Sequence, residues 1–431
     1  MIEQGTSLIR GSYDRVAAVW VGCGDMYRRA HPALEHLQEE GARMTLVDVK
    51  EVGKIIVPPP GNARFFNISD ARQRRIFHQS LIDHPATHIY LANLPHQHLP
   101  TAILLAGKCP DAQIVIAKPL DTNFLLIETI ANGVIWPGLL EHIFQHDHYL
   151  NKGVVEPLYQ RFPELITTYG RVKSFEGYLV EHRTIEDEGR LEALNTGVIC
   201  DLESHLFALT QQFFLSAYHP ALVLPDIVIK DIRLVINQVC RARYANCQLE
   251  NENAETFAAI AVSVIVEYRR INDHPKNHSP REPIVIPGLL AAGKGIKPSS
   301  SIRAGLKGMR FNQELQPRAM NLTSNLINPP LNDLDHVAQE TGFHAPVITA
   351  LSTRNGYSRT EAQKTTIPAV MSFRMAAQNA HYLHTALNMR SPLRSYKKED
   401  TLEQVLAQFV SRDELSPSWL PKEGYGDIGF S

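Results

Sequence analysis

The chain has 431 residues, of which 44% are hydrophobic and 20% charged, and its 43 basic and 45 acidic side chains give a formal charge of −2 at pH 7. This composition predicts a globular protein of two domains, and the near-neutral charge argues against nucleic acid or an anionic membrane as a partner. The first 15 residues are polar and charged, no apolar run approaches the ~20 residues of a membrane span, and the five cysteines are scattered, so we expect a cytoplasmic protein.

The first predicted element is a buried strand at residues 15–21 that ends in a glycine turn. A helix follows, and then a second strand at residues 44–48 that ends in an acid. In this order the glycines let the backbone approach a pyrophosphate at the helix N-terminus, and the acid accepts a hydrogen bond from a ribose hydroxyl. The predicted cofactor contacts of this unit are Gly22, Gly24, Asp25, Met26 and Asp48.

The choice between NAD and NADP depends on Asp48, which lies 24 residues after Gly24, close to the ~20 expected. Its carboxylate would repel a 2′-phosphate and so favours NAD, although Lys50 and Lys54 nearby weaken this preference. Tyr27 occupies the third glycine position of the usual motif. An ordinary strand-to-helix turn followed by a surface acid is the alternative interpretation.

The alternation of strands and helices continues with strands at residues 87–92 and 112–116. Ligands of parallel sheets bind at the carboxyl ends of the strands. We therefore expect the loops after these two strands to contact the cofactor, and Lys118 to reach both the nicotinamide and a substrate hydroxyl. A solvated loop lysine is the alternative. The predicted contacts are Asn93, Leu94, Pro95 and Lys118.

A polar cluster, QHDHYLNK at residues 145–152, follows the last of these loops. It could bind an anion through His148, Tyr149 and Lys152, while Asp147 holds a neighbouring base. The alternative is a plain helix start with Asp147 as its N-cap. We expect no metal here, because no carboxylate or cysteine partner lies at a recognised ligand spacing.

The second half of the chain begins with a strand at residues 170–181 that ends in Glu181. A helix is predicted at residues 198–214, where Asp201 and His205 are four positions apart and share one face. A structural hydrogen-bonded pair is the alternative for these two residues. Further strands are predicted at residues 226–235, 257–268 and 284–286, and further helices at residues 369–389 and 401–410.

These elements predict an α/β Rossmann domain followed by an α+β domain built on a largely antiparallel sheet. We place the dinucleotide-binding domain at residues 1–145 and the substrate and dimerisation domain at residues 146–390. Residues 391–431 are predicted to be a peripheral tail.

Several motifs resemble the glucose–fructose oxidoreductase/inositol dehydrogenase family. That family has an EKP lysine and a GxxxDxxxH motif, which Lys118, Gly197, Asp201 and His205 match. Ala117 replaces the glutamate of EKP. The resemblance implies that Asp201 and His205 act together and that the cofactor is NAD or NADP.

A second set of motifs is more similar to the glucose-6-phosphate dehydrogenase family. Its DHYLGK signature appears here as DHYLNK, with Asn151 in place of glycine, and its P-x-x-L-x-x-GK element resembles residues 287–294. The order of motifs is maintained over roughly residues 16–300. The spacing between Asp201 and His205 instead follows the inositol dehydrogenase type.

Both resemblances imply hydride transfer from a carbinol, which needs a base for the hydroxyl proton. His205 is the natural base, because the ordinary pKa of an imidazole is ~6.5. The glucose-6-phosphate dehydrogenase resemblance makes Asp147 its orienting carboxylate, with Asp201 on the sugar. Lys294 or Lys297 would help to hold a phosphate. The implied substrate contacts are His148, Tyr149, Lys152, Glu181, Asp201 and Lys294.

The predicted function is an NAD(P)-dependent oxidoreductase that takes hydride from a carbinol, C1 of a sugar phosphate or of a related sugar or cyclitol. One alternative is an epimerase that holds NAD tightly. Another is a catalytically degenerate NAD(P)-binding or assembly protein on the same scaffold, which Ala117 and Tyr27 would favour. By analogy with both families, we expect a homodimer or homotetramer.

Overall fold

The computed structural model describes residues 16–39, 41–133, 137–147, 149–150, 164–184, 198–215, 229–245, 258–270, 283–297, 307–315, 318–321 and 371–409. The chain divides into two compact units. Among the described residues, those of 16–147 and 371–377 belong to the first unit, and those of 149–321 and 378–409 belong to the second. Within the described ranges, no helix has both the length and the apolar character needed to cross a membrane.

In chain order, the described strands are β1 (Ala17–Val21), β2 (Arg43–Asp48), β3 (Arg64–Asn67), β4 (His88–Leu91), β5 (Gln113–Ala117), β6 (Ile143–His146), β7 (Val172–Glu181), β8 (Ile229–Tyr244), β9 (Ala259–Arg270), β10 (Ile284–Lys294), β11 (Lys307–Gln313), β12 (Arg318–Asn321), β13 (Met371–Ser372) and β14 (Leu393–Tyr396). The principal α-helices are α1 (Asp25–Glu39), α2 (Ala71–Asp83), α3 (His98–Ala106), α4 (Phe124–Ala131), α5 (Ser204–Thr210), α6 (Phe373–Asn388) and α7 (Leu402–Phe409).

The first unit is built on a sheet of strand order β13-β6-β5-β4-β1-β2-β3. All neighbouring strands from β6 to β3 pair in parallel, and only β13 is antiparallel to its neighbour β6. Strands β4 and β5 are buried along their whole length, which explains why they read as continuous apolar runs in the sequence. The predicted Rossmann-type sheet is confirmed.

An aromatic cluster packs α1 onto this sheet. The rings of Trp20 and Tyr90 are stacked with centroids 4.1 Å apart, and the ring of Tyr27 lies 6.2 Å from that of Trp20. All three side chains are fully buried, and the hydroxyl of Tyr27 donates to the carbonyl of Pro58 at 3.0 Å. Tyr27, which stands where the usual motif has its third glycine, therefore holds α1 against the strands by aromatic packing rather than by close backbone approach.

The second unit is built on a sheet of strand order β12-β11-β7-β10-β9-β8-β14. Four of its six pairings are antiparallel, whereas β7 with β10 and β8 with β14 are parallel. The prediction of a largely antiparallel sheet is confirmed. Strand β10 continues well past the predicted residues 284–286, through Gly288. A Cβ at Gly288 would lie 2.2 Å from the ring of Phe175, so this glycine serves a close packing contact rather than a turn.

Residues 391–409 pack onto the second sheet, whereas residues 410–431 of the predicted peripheral tail lie outside the described residues. Strand β14 pairs in parallel with β8 and adds a seventh strand to the sheet. Helix α7 buries Leu402, Val405 and Leu406 in the same apolar cluster as Tyr396. The spacing of these apolar residues gives α7 one hydrophobic face, and burial of that face attaches the segment to the sheet.

Candidate active site

Five parallel strands of the first sheet end beside residues that the sequence predicts to bind cofactor or to act in catalysis. Gly22 follows β1, Asp48 ends β2, Asn93 lies just after β4, Lys118 follows β5 and Asp147 follows β6. Because the strands are parallel, their carboxyl ends meet at one edge of the sheet, in the order β6, β5, β4, β1, β2. Ligands of doubly wound sheets bind along this edge. The fold therefore brings these five predicted residues to the edge where a cofactor would bind.

The turn after β1 requires glycine at its first position. Gly22 has φ of +93°, and a Cβ there would lie 2.5 Å from the carbonyl oxygen of Ala92. The N–H of Gly22 donates to the carbonyl of Val47 at 2.8 Å. The end of β1 therefore lies so close to the backbone at the ends of β2 and β4 that this position has no room for a side chain.

The second glycine has a different role, because a Cβ at Gly24 would meet no described atom within 4 Å. The N–H of Arg28 donates to the carbonyl of Gly24 at 3.1 Å, so α1 begins here. The N–H groups of Asp25 and Met26 belong to the first helical turn, where an α-helix offers donors without intrahelical acceptors. Open space beside such donors suits an anionic group. The side chain of Asp25 lies outside the described residues.

Asp48 holds the glycine turn together. One carboxylate oxygen accepts from the N–H of Cys23 at 2.5 Å, and the other accepts from the N–H of Lys50 at 2.8 Å. Burial and the neighbouring Asp48 charge raise the pKa of the Cys23 thiol to about 12, so this thiol stays protonated. Each carboxylate oxygen has a further lone pair for a ribose hydroxyl.

The loops after β4 and β5 carry the next predicted contacts. The side-chain amide of Asn93 donates to the hydroxyl of Thr101 at 3.2 Å, which ties this loop to α3. Leu94 is exposed, and Pro95 begins a short 3-10 turn before α3. Lys118 directly follows β5. Its position at the sheet edge is as predicted, and its role remains a prediction.

Asp147 is fully buried directly after β6. The preceding residue, His146, places Nδ1 2.6 Å from the hydroxyl of Tyr90, and both of these side chains are also buried. Ala117 of β5 is the register partner of His146 and belongs to the same apolar cluster as Tyr90. The small residue that replaces the EKP glutamate thus lies beside a buried tyrosine–histidine hydrogen bond, which sequence reasoning missed.

In the second unit, Lys294 joins two predicted substrate contacts. Its Nζ lies 2.7 Å from an oxygen of Asp201 and 3.3 Å from an oxygen of Glu181. Lys294 and Glu181 are register partners at the ends of the parallel strands β10 and β7. The hydroxyl of Tyr396 donates to the carbonyl of Lys294 at 2.7 Å and so fixes this strand end. The Lys294 side chain is 1% exposed, whereas both carboxylates are about one-fifth exposed, so solvent reaches the carboxylates and not the ammonium.

His205 packs against the predicted phosphate-binding residue Tyr149. Their ring centroids are 4.3 Å apart, and both side chains are buried. The helix predicted at residues 198–214 is present but is not α-helical throughout. Its central part is α5, and π-helical turns at Ile199–Glu203 and Gln211–Leu215 flank it. The first of these turns contains Asp201. Single π-helical turns often occur at functional sites.

Some predicted contacts cannot be placed. His148, Lys152, Gly197 and Asn151 lie outside the described residues. Asp147 belongs to the first unit and His205 to the second, so their pairing stays a prediction.

A buried acid that the sequence did not single out lies two residues after Asp201. Glu203 is fully buried, and neither of its carboxyl oxygens has a hydrogen-bond partner within the described part of the chain. Burial raises the pKa of Glu203 well above its ordinary value. Burial without a hydrogen-bond partner thus favours the neutral form of this carboxyl. The sequence holds one signal for this residue, which is that Glu203 lies among the apolar residues of the helix predicted at residues 198–214.

No protein-family model and no curated protein matches this sequence. Solved structures do match the fold. Glucose-6-phosphate 1-dehydrogenase from Mycobacterium avium has a TM-score of 0.55 and 14% identity, covering 94% of this chain and 99% of its own. The WlbA dehydrogenase from Bordetella pertussis, in complex with NADH and UDP-GlcNAcA, has a TM-score of 0.51 and 13% identity, covering 86% of this chain and 94% of its own.

A third match is the apo scyllo-inositol dehydrogenase from Lactobacillus casei, with a TM-score of 0.50 and 9% identity, covering 86% of this chain and 95% of its own. At such identities the similarity establishes a shared fold. Two of them, a glucose-6-phosphate dehydrogenase and an inositol dehydrogenase, bear the names of the families that the sequence motifs resemble. The expected architecture, a Rossmann-type domain with a second domain on a largely antiparallel sheet, is therefore found both within the chain and among its structural neighbours.

Proposed function

We propose that the chain is an NAD(P)-dependent dehydrogenase that takes hydride from a carbinol, C1 of a sugar phosphate or of a related sugar or cyclitol. The observation that carries this proposal is the row of Gly22, Asp48, Lys118 and Asp147 along one edge of the parallel sheet. The first two suit a dinucleotide. Lys118 follows β5 and Asp147 follows β6, and these two residues supply polar groups for chemistry beside the dinucleotide.

The residues of the first unit fit a dinucleotide in their local geometry. The space at Gly24 and the N–H groups of the first turn of α1 accommodate a pyrophosphate. Asp48 can accept from ribose hydroxyls while it keeps its bonds to the backbone. Its negative charge disfavours a 2′-phosphate, so NAD is the favoured cofactor. When bound, the nicotinamide supplies the hydride acceptor.

The protein's own groups supply the proton chemistry. His205 takes the proton of the reacting hydroxyl, and Lys118 orients that hydroxyl. Either Asp147 or Asp201 orients the imidazole. If Asp147 does so, its change to Asn lowers kcat and shifts the acidic limb of the pH–rate profile to lower pH. If Asp201 acts on the sugar instead, its change to Asn mainly raises KM.

Lys294, Asp201 and Glu181 indicate a substrate rich in hydroxyl groups. The buried ammonium orients two partly exposed carboxylates, and such carboxylates accept hydrogen bonds from sugar hydroxyls. Because Lys294 is already paired with two negative charges, a phosphate there would be repelled. Recognition of a phosphate then depends on Tyr149 and on the predicted contacts His148 and Lys152.

NADH fluorescence with matched phosphorylated and free sugars tests the proposal. We expect turnover with NAD, and His205→Asn and Lys118→Ala should each lower kcat/KM by about 100-fold or more. Lys398→Ala changes an exposed lysine and should leave turnover unchanged. Lys152→Ala should impair phosphorylated substrates selectively. Equal rates for both substrate types, insensitive to Lys152→Ala, would exclude phosphate recognition.

Two other outcomes point to the alternatives. Calorimetry that detects binding of neither NAD nor NADP would favour an assembly protein on this scaffold. Protein that purifies with bound NAD and forms no net NADH would favour an epimerase. The expected homo-oligomer remains a prediction, and sedimentation of the purified chain would measure it.

A further inference from the structure

His98, the first residue of α3, lies between the loops that carry Asn93 and Lys118. Its Nε2 lies 3.0 Å from the carbonyl oxygen of Asn93, and its Nδ1 lies 2.8 Å from the carbonyl oxygen of Pro119. The side chain is 1% exposed. One imidazole therefore contacts the backbone of both loops, directly beside the asparagine and the lysine that the proposed function uses.

Asp121 completes the connection from the opposite side. One of its oxygens accepts from the N–H of Leu99 at 3.0 Å, and the other accepts from the N–H of Asn123 at 2.8 Å. Asp121 is as deeply buried as His98. The start of α3 is thus joined to the Lys118 loop at two points, by the His98 ring at the carbonyl of Pro119 and by the Leu99 N–H at Asp121, while the His98 ring also contacts the Asn93 carbonyl.

The charge state of His98 is set by opposing influences. Burial lowers its pKa, and the neighbouring His96 acts in the same direction. The two carbonyl groups and the charge of Asp121 oppose that decrease. A neutral imidazole has one N–H and donates to one carbonyl, whereas an imidazolium donates to both. The connection between the loops is therefore stronger when His98 is protonated.

We propose that His98 is a positioning residue that fixes the Lys118 loop against the Asn93 loop, and so sets the place of the Lys118 ammonium for hydride transfer. The carbonyl that His98 holds belongs to the residue next to Lys118. This inference rests on the proposed function for the role of Lys118. The contacts between the loops do not depend on it.

A double-mutant cycle tests the coupling between the two residues. His98→Leu should lower kcat by about 10- to 100-fold, because a displacement of about 1 Å has effects of this size, while KM for NAD changes by less than about threefold. In a Lys118→Ala background, the same change should have less than about a threefold effect. His98→Gln, which retains one donor, should restore part of kcat. His78→Gln, on α2, is the control and should match the wild type.

Hydrogen exchange distinguishes a failure of this inference from a failure of the proposed function. In His98→Leu, without substrate, the amides of Leu99 and Asn123 should exchange at least about tenfold faster than in the wild type, as expected when a local opening becomes easier. Unchanged exchange overturns the loop contact whatever the activity. If His98→Leu lowers kcat by the same factor in the wild-type and Lys118→Ala backgrounds, the positioning role is overturned. Absence of turnover in the wild type counts against the proposed function, and exchange then decides the inference alone.

Discussion

Lys294 places its ammonium 2.7 Å from an oxygen of Asp201, at a site where the lysine side chain is 1% exposed. Glu181 is the second carboxylate, at 3.3 Å. A buried ammonium is stable only when paired charges offset its loss of hydration, and two carboxylates do so here. The same arrangement leaves one net negative charge among the three groups, which suits hydroxyl groups better than a phosphate.

Lys294→Met should lower the free energy of unfolding by about 2 kcal/mol. Removing one partner of a buried pair costs more, but solvent can partly screen the two carboxylates that remain. Urea unfolding measures the change. Lys297→Met is the matched control, because Lys297 pairs with Glu399 at 2.7 Å with both side chains about half exposed. It should cost less than about 1 kcal/mol, and equal losses for the two variants would contradict the prediction.

Gly22→Ala and Gly24→Ala should separate folding from cofactor binding. The first places a Cβ 2.5 Å from a backbone oxygen at φ of +93°, so we expect a loss of about 1–3 kcal/mol in unfolding free energy. The second places its methyl in open space, so stability should hold while NAD affinity falls by about tenfold, or about 1.4 kcal/mol. Thermal unfolding and calorimetry measure the two effects. If Gly24→Ala leaves the NAD affinity unchanged, the pyrophosphate does not bind at this turn.

Asp48→Asn should shift cofactor preference toward NADP. The neutral amide no longer repels a 2′-phosphate, and its oxygen can still accept from the N–H of Cys23. We expect the ratio of kcat/KM for NADP to that for NAD to rise by about tenfold or more, since like charges brought together cost several kcal/mol. Glu51→Gln removes an exposed charge nearby and should leave this ratio within about twofold. A similar shift in both variants would show a general charge effect.

Gly22, Asp48 and Lys118 could be predicted at the edge of the first sheet because each follows an apolar run that ends abruptly, and parallel pairing brings the strand ends together. Asp147 was predicted from its polar cluster instead, because the sequence IFQH of β6 is too short and too polar to indicate a buried strand. Strand β3 and helix α2 were not predicted. Helix α2 buries only Phe77 and Leu81, so its periodic signal is weak.

The sequence predicted Lys294, Asp201 and Glu181 as substrate contacts, but it did not predict that they form ion pairs with one another. Glu181 and Lys294 are 113 residues apart, and their contact depends on the register of two parallel strands. Local periodicity does not determine such a register. The π-helical turn that carries Asp201 has no local signal either, and the sequence pattern predicts an ordinary α-helix there.

Glu203 should make stability depend on pH in a predictable direction. Burial raises its pKa in the folded state well above the ordinary 4.5 that applies when the chain is unfolded. Below about pH 4.5 both states are protonated, so the contribution of Glu203 is fully present. Above it, only the unfolded state loses its proton. The free energy of unfolding then falls as pH rises, until the pH reaches the folded pKa.

Glu203→Gln removes this titration while it keeps the shape of the side chain. From pH 5 to 7, the unfolding free energy of the wild type should fall relative to that of the variant, because the folded state retains a proton that the unfolded state has lost. Urea unfolding at pH 5, 6 and 7 measures this difference. Glu39→Gln, at an exposed position at the end of α1, should follow the wild-type slope. Parallel profiles for the wild type and Glu203→Gln would mean that Glu203 ionises normally in the folded protein, and that the helix carrying Asp201 and His205 tolerates a charge at this position.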